Sequence, residues 1–191
     1  MTKIVALLGS VTPPGRLSSA VSGALSRAEA AGHTTALLDL GALTVGFADG
    51  RPVEQLTDDT PKLVAAISAA DAVILATPVY RATLTGALKN AIDLLPFEAL
   101  TAKPVGVVVM GATLHHYLGA DSHLRDILAW FGAVTLPTSV YLSSADFVEG
   151  KLTEGGANSL DALITALAAF ANVTKNLPTG PTPIAAPRVK V

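Results

Sequence analysis

Short, solidly apolar runs alternate along this chain with longer segments of helical period. The first run, Lys3-Ile4-Val5-Ala6-Leu7-Leu8, is continuous, as expected of a parallel strand covered on both faces. Gly9-Ser10 ends it. A loop through Pro13-Pro14-Gly15 leads to a helix expected over about 17–31, with Ser18 or Ser19 as its cap and Gly32 closing it. Residues 34–39 read as a second strand, and 41–58, polar and without period, as loop. Thr60 and Pro61 mark the start of a helix running to about Ala70. A third strand over 72–76 stops at Thr77-Pro78, and a helix over about 85–95 stops at Pro96. Then come a strand over 105–110, a helix over about 117–131, a strand over 133–136 that resumes near Val140, and a helix over about 160–173. Five strands alternating with helices predict an α/β protein: a doubly wound parallel sheet with helices on both faces. The domain is expected to span 1–176. The tail over 177–191, with four prolines, is expected to be extended or disordered, or packed on a partner subunit.

Composition narrows the class. Half of the residues are apolar and 15% charged, ample for an aliphatic core. No stretch reaches the ~18–20 apolar residues of a membrane span. Asp71 interrupts the longest, over 63–80, and the run over 105–114 has strand length. The start, Met1-Thr2-Lys3, lacks signal-peptide anatomy, so a cytoplasmic chain is expected, with no membrane partner. The absence of cysteine removes thiolate chemistry and Cys-ligated metal sites. A net charge of -2 without a basic stripe argues against nucleic acid as a partner.

In open α/β sheets ligands sit beyond the carboxyl ends of the strands, where the strand order reverses. Three loops there carry chemistry. The first offers hydroxyls at Ser10, Thr12, Ser18 and Ser19 and a guanidinium at Arg16, and no carboxylate occurs before Glu29. Such a loop at a helix N-terminus suits a phosphate dianion; the plainer reading is a capped loop with Arg16 in solvent. It lacks the lysine ending of a Walker A loop and the Gly-x-Gly-x-x-Gly of a dinucleotide site. The second loop is Thr77-Pro78-Val79-Tyr80-Arg81-Ala82-Thr83. The N–H groups of Val79 and Tyr80 are expected to be free for a heteroaromatic edge, and Tyr80 to offer a flat face; the alternative is an ordinary tight turn. The third opens with Gly111, expected to permit close backbone approach to a ligand, followed by Ala112, Thr113, His115 and His116. A metal site is not expected there, since no carboxylate surrounds the histidines at ligand spacing. The absence of a Gly-x-Ser-x-Gly elbow disfavours a hydrolase triad.

Together these loops resemble the NADPH-dependent FMN reductase family, most of all the alkanesulfonate- and methanesulfonate-linked FMN reductases of two-component monooxygenase systems. The most specific stretch runs from Ala76-Thr77-Pro78-Val79-Tyr80 through Gly86-Ala87-Leu88-Lys89 to Asp93-Leu94-Leu95-Pro96, within a likeness over roughly residues 3–172. The resemblance implies a flavodoxin-like sheet of order 2-1-3-4-5 that carries FMN across its strand ends. It places the phosphate on Ser10, Arg16, Ser18 and Ser19, and the isoalloxazine on Pro78, Val79, Tyr80 and Arg81. The ring's other edge falls on Gly111, Ala112 and Thr113, with His116 beside them. It implies hydride transfer from NADPH or NADH to the flavin with no catalytic side chain. It also implies a flavin-dependent monooxygenase as partner and a homo-oligomer, dimer or tetramer, built through the fourth helix. There relatives carry a π-bulge, which here would fall at His123, a plain α-helix being the alternative. The chain departs from the pattern at Thr12, where some relatives have an arginine, and at Ala112, where a second glycine is usual; the first departure weakens the phosphate site and the second narrows the pocket. An FMN-bound quinone, azo or metal reductase is the alternative enzyme. A flavodoxin-like electron carrier is disfavoured by the near-neutral charge.

Overall fold

The computed structural model of the protein describes residues 1–175, 179–181 and 183. The elements run β1 (Lys3–Leu8), α1 (Arg16–Ala30), β2 (Thr34–Asp39), α2 (Thr60–Ser68), β3 (Ala72–Pro78), α3 (Gly86–Asp93) and β4 (Pro104–Met110). After them come α4 (Tyr117–Phe131), β5 (Val134–Thr135), β6 (Val140–Leu142), β7 (Phe147–Val148), β8 (Lys151–Leu152) and α5 (Glu154–Thr174). The main sheet is parallel, in the order β2-β1-β3-β4-β5, and β6 continues the outer edge beside β4. This is the order the family resemblance implied. The expected tail over 177–191 lies outside the described residues, apart from 179–181 and 183.

Alternate residues of each strand feed opposite cores, which is why the strands read as unbroken apolar runs. Val5, Leu7, Val73, Leu75, Val105 and Val107 pack with α2, α3 and α4. Ile4, Ala6, Leu8, Ile74 and Val108 pack with α1 and α5. At Gly106 a Cβ would meet Leu163 and Leu167 of α5 at 3.1 Å, so this glycine sets how closely α5 lies on β4.

The outer edge breaks because Pro137 has no N–H to give a ladder. The Leu136 N–H still bonds the Val105 carbonyl at 2.9 Å; the chain then swings out and rejoins at Val140. One arginine holds that excursion. Arg125 Nε donates to Asp121 Oδ2 at 2.8 Å, Nη1 to the Leu136 carbonyl at 3.0 Å, and Nη2 to the Pro137 carbonyl and Ser139 Oγ at 3.1 and 2.8 Å. Ser139 Oγ also donates to Asp121 Oδ1, so the buried carboxylate is satisfied on both oxygens.

Several expected boundaries shift. α1 starts at Arg16 with Gly15 at the N-cap, so neither Ser18 nor Ser19 caps it. Asp59, not Thr60, holds the N-cap position of α2. α5 begins at Glu154, where Thr153 Oγ1 accepts from the Gly156 N–H at 3.3 Å. The β7–β8 hairpin was not expected; its turn places Glu149 and Gly150 at φ 49 and 78. α4 is α-helical throughout, with no π-bulge at His123.

Replacing Arg125 with alanine would strand the Asp121 carboxylate and two carbonyls. We expect Arg125→Ala to cost about 2–4 kcal/mol in urea unfolding, and Asp126→Ala, on the same helix, to cost under about 0.5 kcal/mol.

Candidate flavin site

Buried hydroxyls tie the first two loops together. At Gly9, ending β1, a Cβ would lie 2.7 Å from Leu88 Cβ, so only glycine lets β1 run this close to α3. Thr85 caps α3 by accepting from the Leu88 N–H at 3.1 Å and donates to the Gly9 carbonyl at 2.5 Å. The Thr85 N–H donates to Thr77 Oγ1 at 3.2 Å, bringing in the end of β3.

The first loop opens into a cleft of about 210 Å³ at the head of α1, lined by Ser10, Thr12, Arg16, Ser18, Asp39 and Tyr80 among others. The first N–H groups of any α-helix lack intrahelical partners. Here no side chain caps them and no acidic residue stands in the first turn. Arg16, the first helical residue, sits where the helix dipole opposes a cation. The Ser10 and Thr12 hydroxyls bond each other at 2.8 Å. Ser19, exposed one residue beyond Ser18, does not line the cleft. Three lining residues, all at strand ends, escaped the sequence reading: Leu8, Asp39 and Met110. Asp39 ends β2, beside β1 in the sheet, and its Oδ1 accepts from the Gly41 N–H at 2.9 Å; Met110 ends β4. The signal for Asp39 was present, because a strand order with β2 next to β1 puts its last residue at this cleft.

The second loop differs from expectation in its donors. The Val79 N–H bonds the Met110 carbonyl at 2.8 Å, and the Tyr80 N–H bonds the Thr83 carbonyl at 2.9 Å, so neither is free. Tyr80 and Thr83 close a tight turn with Arg81 and Ala82 at φ 51 and 64, a left-handed pair matching a type I′ turn. The N–H groups that remain without a partner among the described residues are those of Arg81 and Ala82. Two contacts hold the strained turn. A Cβ on Gly119 of α4 would lie 2.3 Å from the Ala82 carbonyl oxygen, and Thr83 Oγ1 meets His123 Nδ1 at 2.6 Å. Pro78 and Tyr80 line the cleft; Val79 turns into the core, and Arg81 is exposed.

The third loop corrects another expectation. The space left by the missing Cβ of Gly111 belongs to Tyr141, whose hydroxyl oxygen would lie 2.0 Å from it. That hydroxyl donates to the Thr113 carbonyl at 2.5 Å, and burial pushes the phenol's pKa above its ordinary value, so it stays protonated. The Gly111 N–H goes to the Leu142 carbonyl at 3.0 Å. Close approach here serves the fold. Ala112, Thr113 and His116 are exposed and do not line the cleft, and His116 takes the N-cap position of α4 without a side-chain bond. No cluster of three metal-ligating side chains occurs among the described residues.

A parallel sheet of order 2-1-3-4-5 with its cleft at the β1/β3 switch point is flavodoxin-like, the class in which FMN lies at that point. The comparisons narrow this class. The model of the NADPH-dependent FMN reductase family matches residues 2–147, and the chain belongs to that family. It is 34% identical over 154 residues to the NADH-dependent FMN reductase SfnF of Pseudomonas fluorescens (strain Pf0-1), covering 79% of this chain and 81% of that one. It is 40% identical over 113 residues to an NAD(P)H-dependent FAD/FMN reductase of Geobacillus thermodenitrificans (strain NG80-2), covering 59% of this chain and 61% of that one. A solved NADH:FMN oxidoreductase in its apo form superposes with a TM-score of 0.74 at 25% identity, over 98% of this chain and 97% of that one.

If Tyr141 owns the space beside Gly111, Gly111→Ala should destabilise the protein by about 1–3 kcal/mol. In a Tyr141→Phe background the same change should cost measurably less; equal losses in both backgrounds, followed by thermal unfolding, would refute the contact.

Proposed function

We propose that this protein, an NAD(P)H-dependent FMN reductase, holds FMN by its phosphate at the head of α1 and releases the reduced flavin to a partner monooxygenase. The observation that carries the seating is Arg16. A cation at the first position of an uncapped helix is electrostatically misplaced until an anion joins it, and then guanidinium, dipole and free N–H groups act together. The cleft's own residues fit that anion: Ser10, Thr12 and Ser18 supply hydroxyls around Arg16. The ring follows along the carboxyl edge, past Pro78 and the half-exposed Tyr80 to the free N–H groups of Arg81 and Ala82. Gly111, Ala112, Thr113 and His116 flank its far edge. When bound, FMN accepts a hydride from NADH or NADPH, and the protein's task is placement.

Arg16 is the one cation and Asp39 the one anion among the residues lining the cleft. With Thr12 where some relatives place a second arginine, this balance favours an exchanging FMN substrate over a permanently held cofactor. The chemistry of release suits a two-component system, in which reduced flavin travels to a monooxygenase. Assembly as a homodimer or homotetramer through α4 is part of the same reading, supported by Leu118 and Trp130, which stay exposed on that helix. So is a cytoplasmic location; no helix among the described residues is long and apolar enough to cross a membrane.

Steady-state oxidation of NADH and NADPH with FMN varied tests the activity, and background rates with FMN would overturn it. For the seating, Arg16→Ala should weaken FMN by about 1.5–3 kcal/mol and leave riboflavin unchanged; equal losses would remove the phosphate assignment. Asp39→Asn should tighten FMN by about 0.5–1 kcal/mol relative to riboflavin, read in the same fluorescence titration.

A further inference from the structure

The Arg16 side chain is exposed, yet it is not left to solvent. Nη2 donates to Ser144 Oγ at 3.4 Å, and Cζ lies over the Phe147 ring, 5.3 Å from its centroid, within cation–π range. Both partners come from a segment more than 120 residues away in sequence, 143–152, which enters neither the cleft lining nor the seating described above.

That segment is built to stand still. Ser143 and Asp146 form a reciprocal capping box: the Ser143 N–H donates to Asp146 Oδ2 at 2.7 Å, and the Ala145 N–H to Ser143 Oγ at 3.2 Å. The Thr153 N–H bonds the Asp146 carbonyl at 2.8 Å. Phe147 pairs with Leu152 across the hairpin and packs on the core beneath α1 and α5. A Cβ on Gly156 would lie 2.7 Å from Leu152 Cδ1, so the hairpin is pressed against α5.

Both groups holding Arg16 are neutral. Within the segment, the Asp146 carboxylate is engaged by Ser143, and Arg16 has no ion pair among the described residues. A carboxylate in their place would hold the guanidinium as firmly but cancel its charge. A hydroxyl and a ring face orient it and leave the charge for an incoming anion.

We infer that Ser144 and Phe147 are positioning residues for Arg16, and that the 143–152 segment is the support that sets the preference for phosphorylated flavin over riboflavin. The inference rests on the phosphate seating proposed above. Fluorescence titrations of FMN and riboflavin with the wild type, Phe147→Leu, Ser144→Ala, Phe147→Trp and Arg16→Ala test it. Phe147→Leu should weaken FMN about threefold and leave riboflavin unchanged. The loss should vanish in an Arg16→Ala background and be recovered in Phe147→Trp. Ser144→Ala, a surface change without folding risk, should show a smaller loss of the same selectivity. Equal loss of both flavins in Phe147→Leu, or an FMN-specific loss that persists without Arg16, would overturn the inference. So would an unchanged FMN-to-riboflavin ratio in Phe147→Leu and Ser144→Ala while Arg16→Ala shifts it; the phosphate seating would then stand. A ratio unmoved by Arg16→Ala removes the seating and the inference together.

Discussion

Burying both faces of a parallel sheet forces each strand to be followed by a crossover that returns the chain to the same starting edge. All strand-to-helix loops therefore gather at the carboxyl edge, where polar backbone can meet a ligand without disturbing either core. The three loops that carry the candidate site sit on that edge. The order β2-β1-β3 opens the edge between β1 and β3, because the crossovers on the two sides of β1 lie on opposite faces. Gly9 and Thr85 then fix the width of that opening, one by lacking a Cβ and the other by bonding across it.

Two features of the site run against local stability, and both point the same way. Arg16 stands against the helix dipole, where an acidic residue would stabilise. Arg81 and Ala82 occupy left-handed conformations that cost non-glycine residues about 1–2 kcal/mol each. The surroundings hold each in place. The hairpin at Phe147 does so for the arginine; Gly119 and His123 do so for the turn. Under the proposed seating, the helix head and the Arg81 and Ala82 N–H groups are the donors that meet an anionic, flat ligand.

How much of this was legible in the sequence depends on whether the cause was local. The sheet was legible, since two-sided burial writes continuous apolar runs such as 3–8 and 105–110 directly into the chain. The loops were found for the same reason, because they begin where those runs stop. Backbone donors were misjudged, since whether the Val79 N–H is free depends on the Met110 carbonyl of the neighbouring strand. Gly111 was misread because the atom that needs its space, the Tyr141 hydroxyl, belongs to a strand 30 residues later. The start of α5 was masked by Gly155 and Gly156, which depress helix propensity; Gly156 is there to admit Leu152. The hairpin over 147–152 carries Glu-Gly at its turn, a weaker signal than Asn-Gly or Asp-Gly.

The missed hairpin changes how the phosphate loop is understood. Read as a contiguous motif, Ser10 to Ser19 places its arginine by sequence alone, and Arg16 would be a mobile group sampling solvent. In the fold, the guanidinium lies over Phe147 and bonds Ser144, both in the segment that follows β6 at the same carboxyl edge. The uncapped N-terminus of α1 is local to that helix, whereas the contacts that orient its guanidinium come from the last third of the chain.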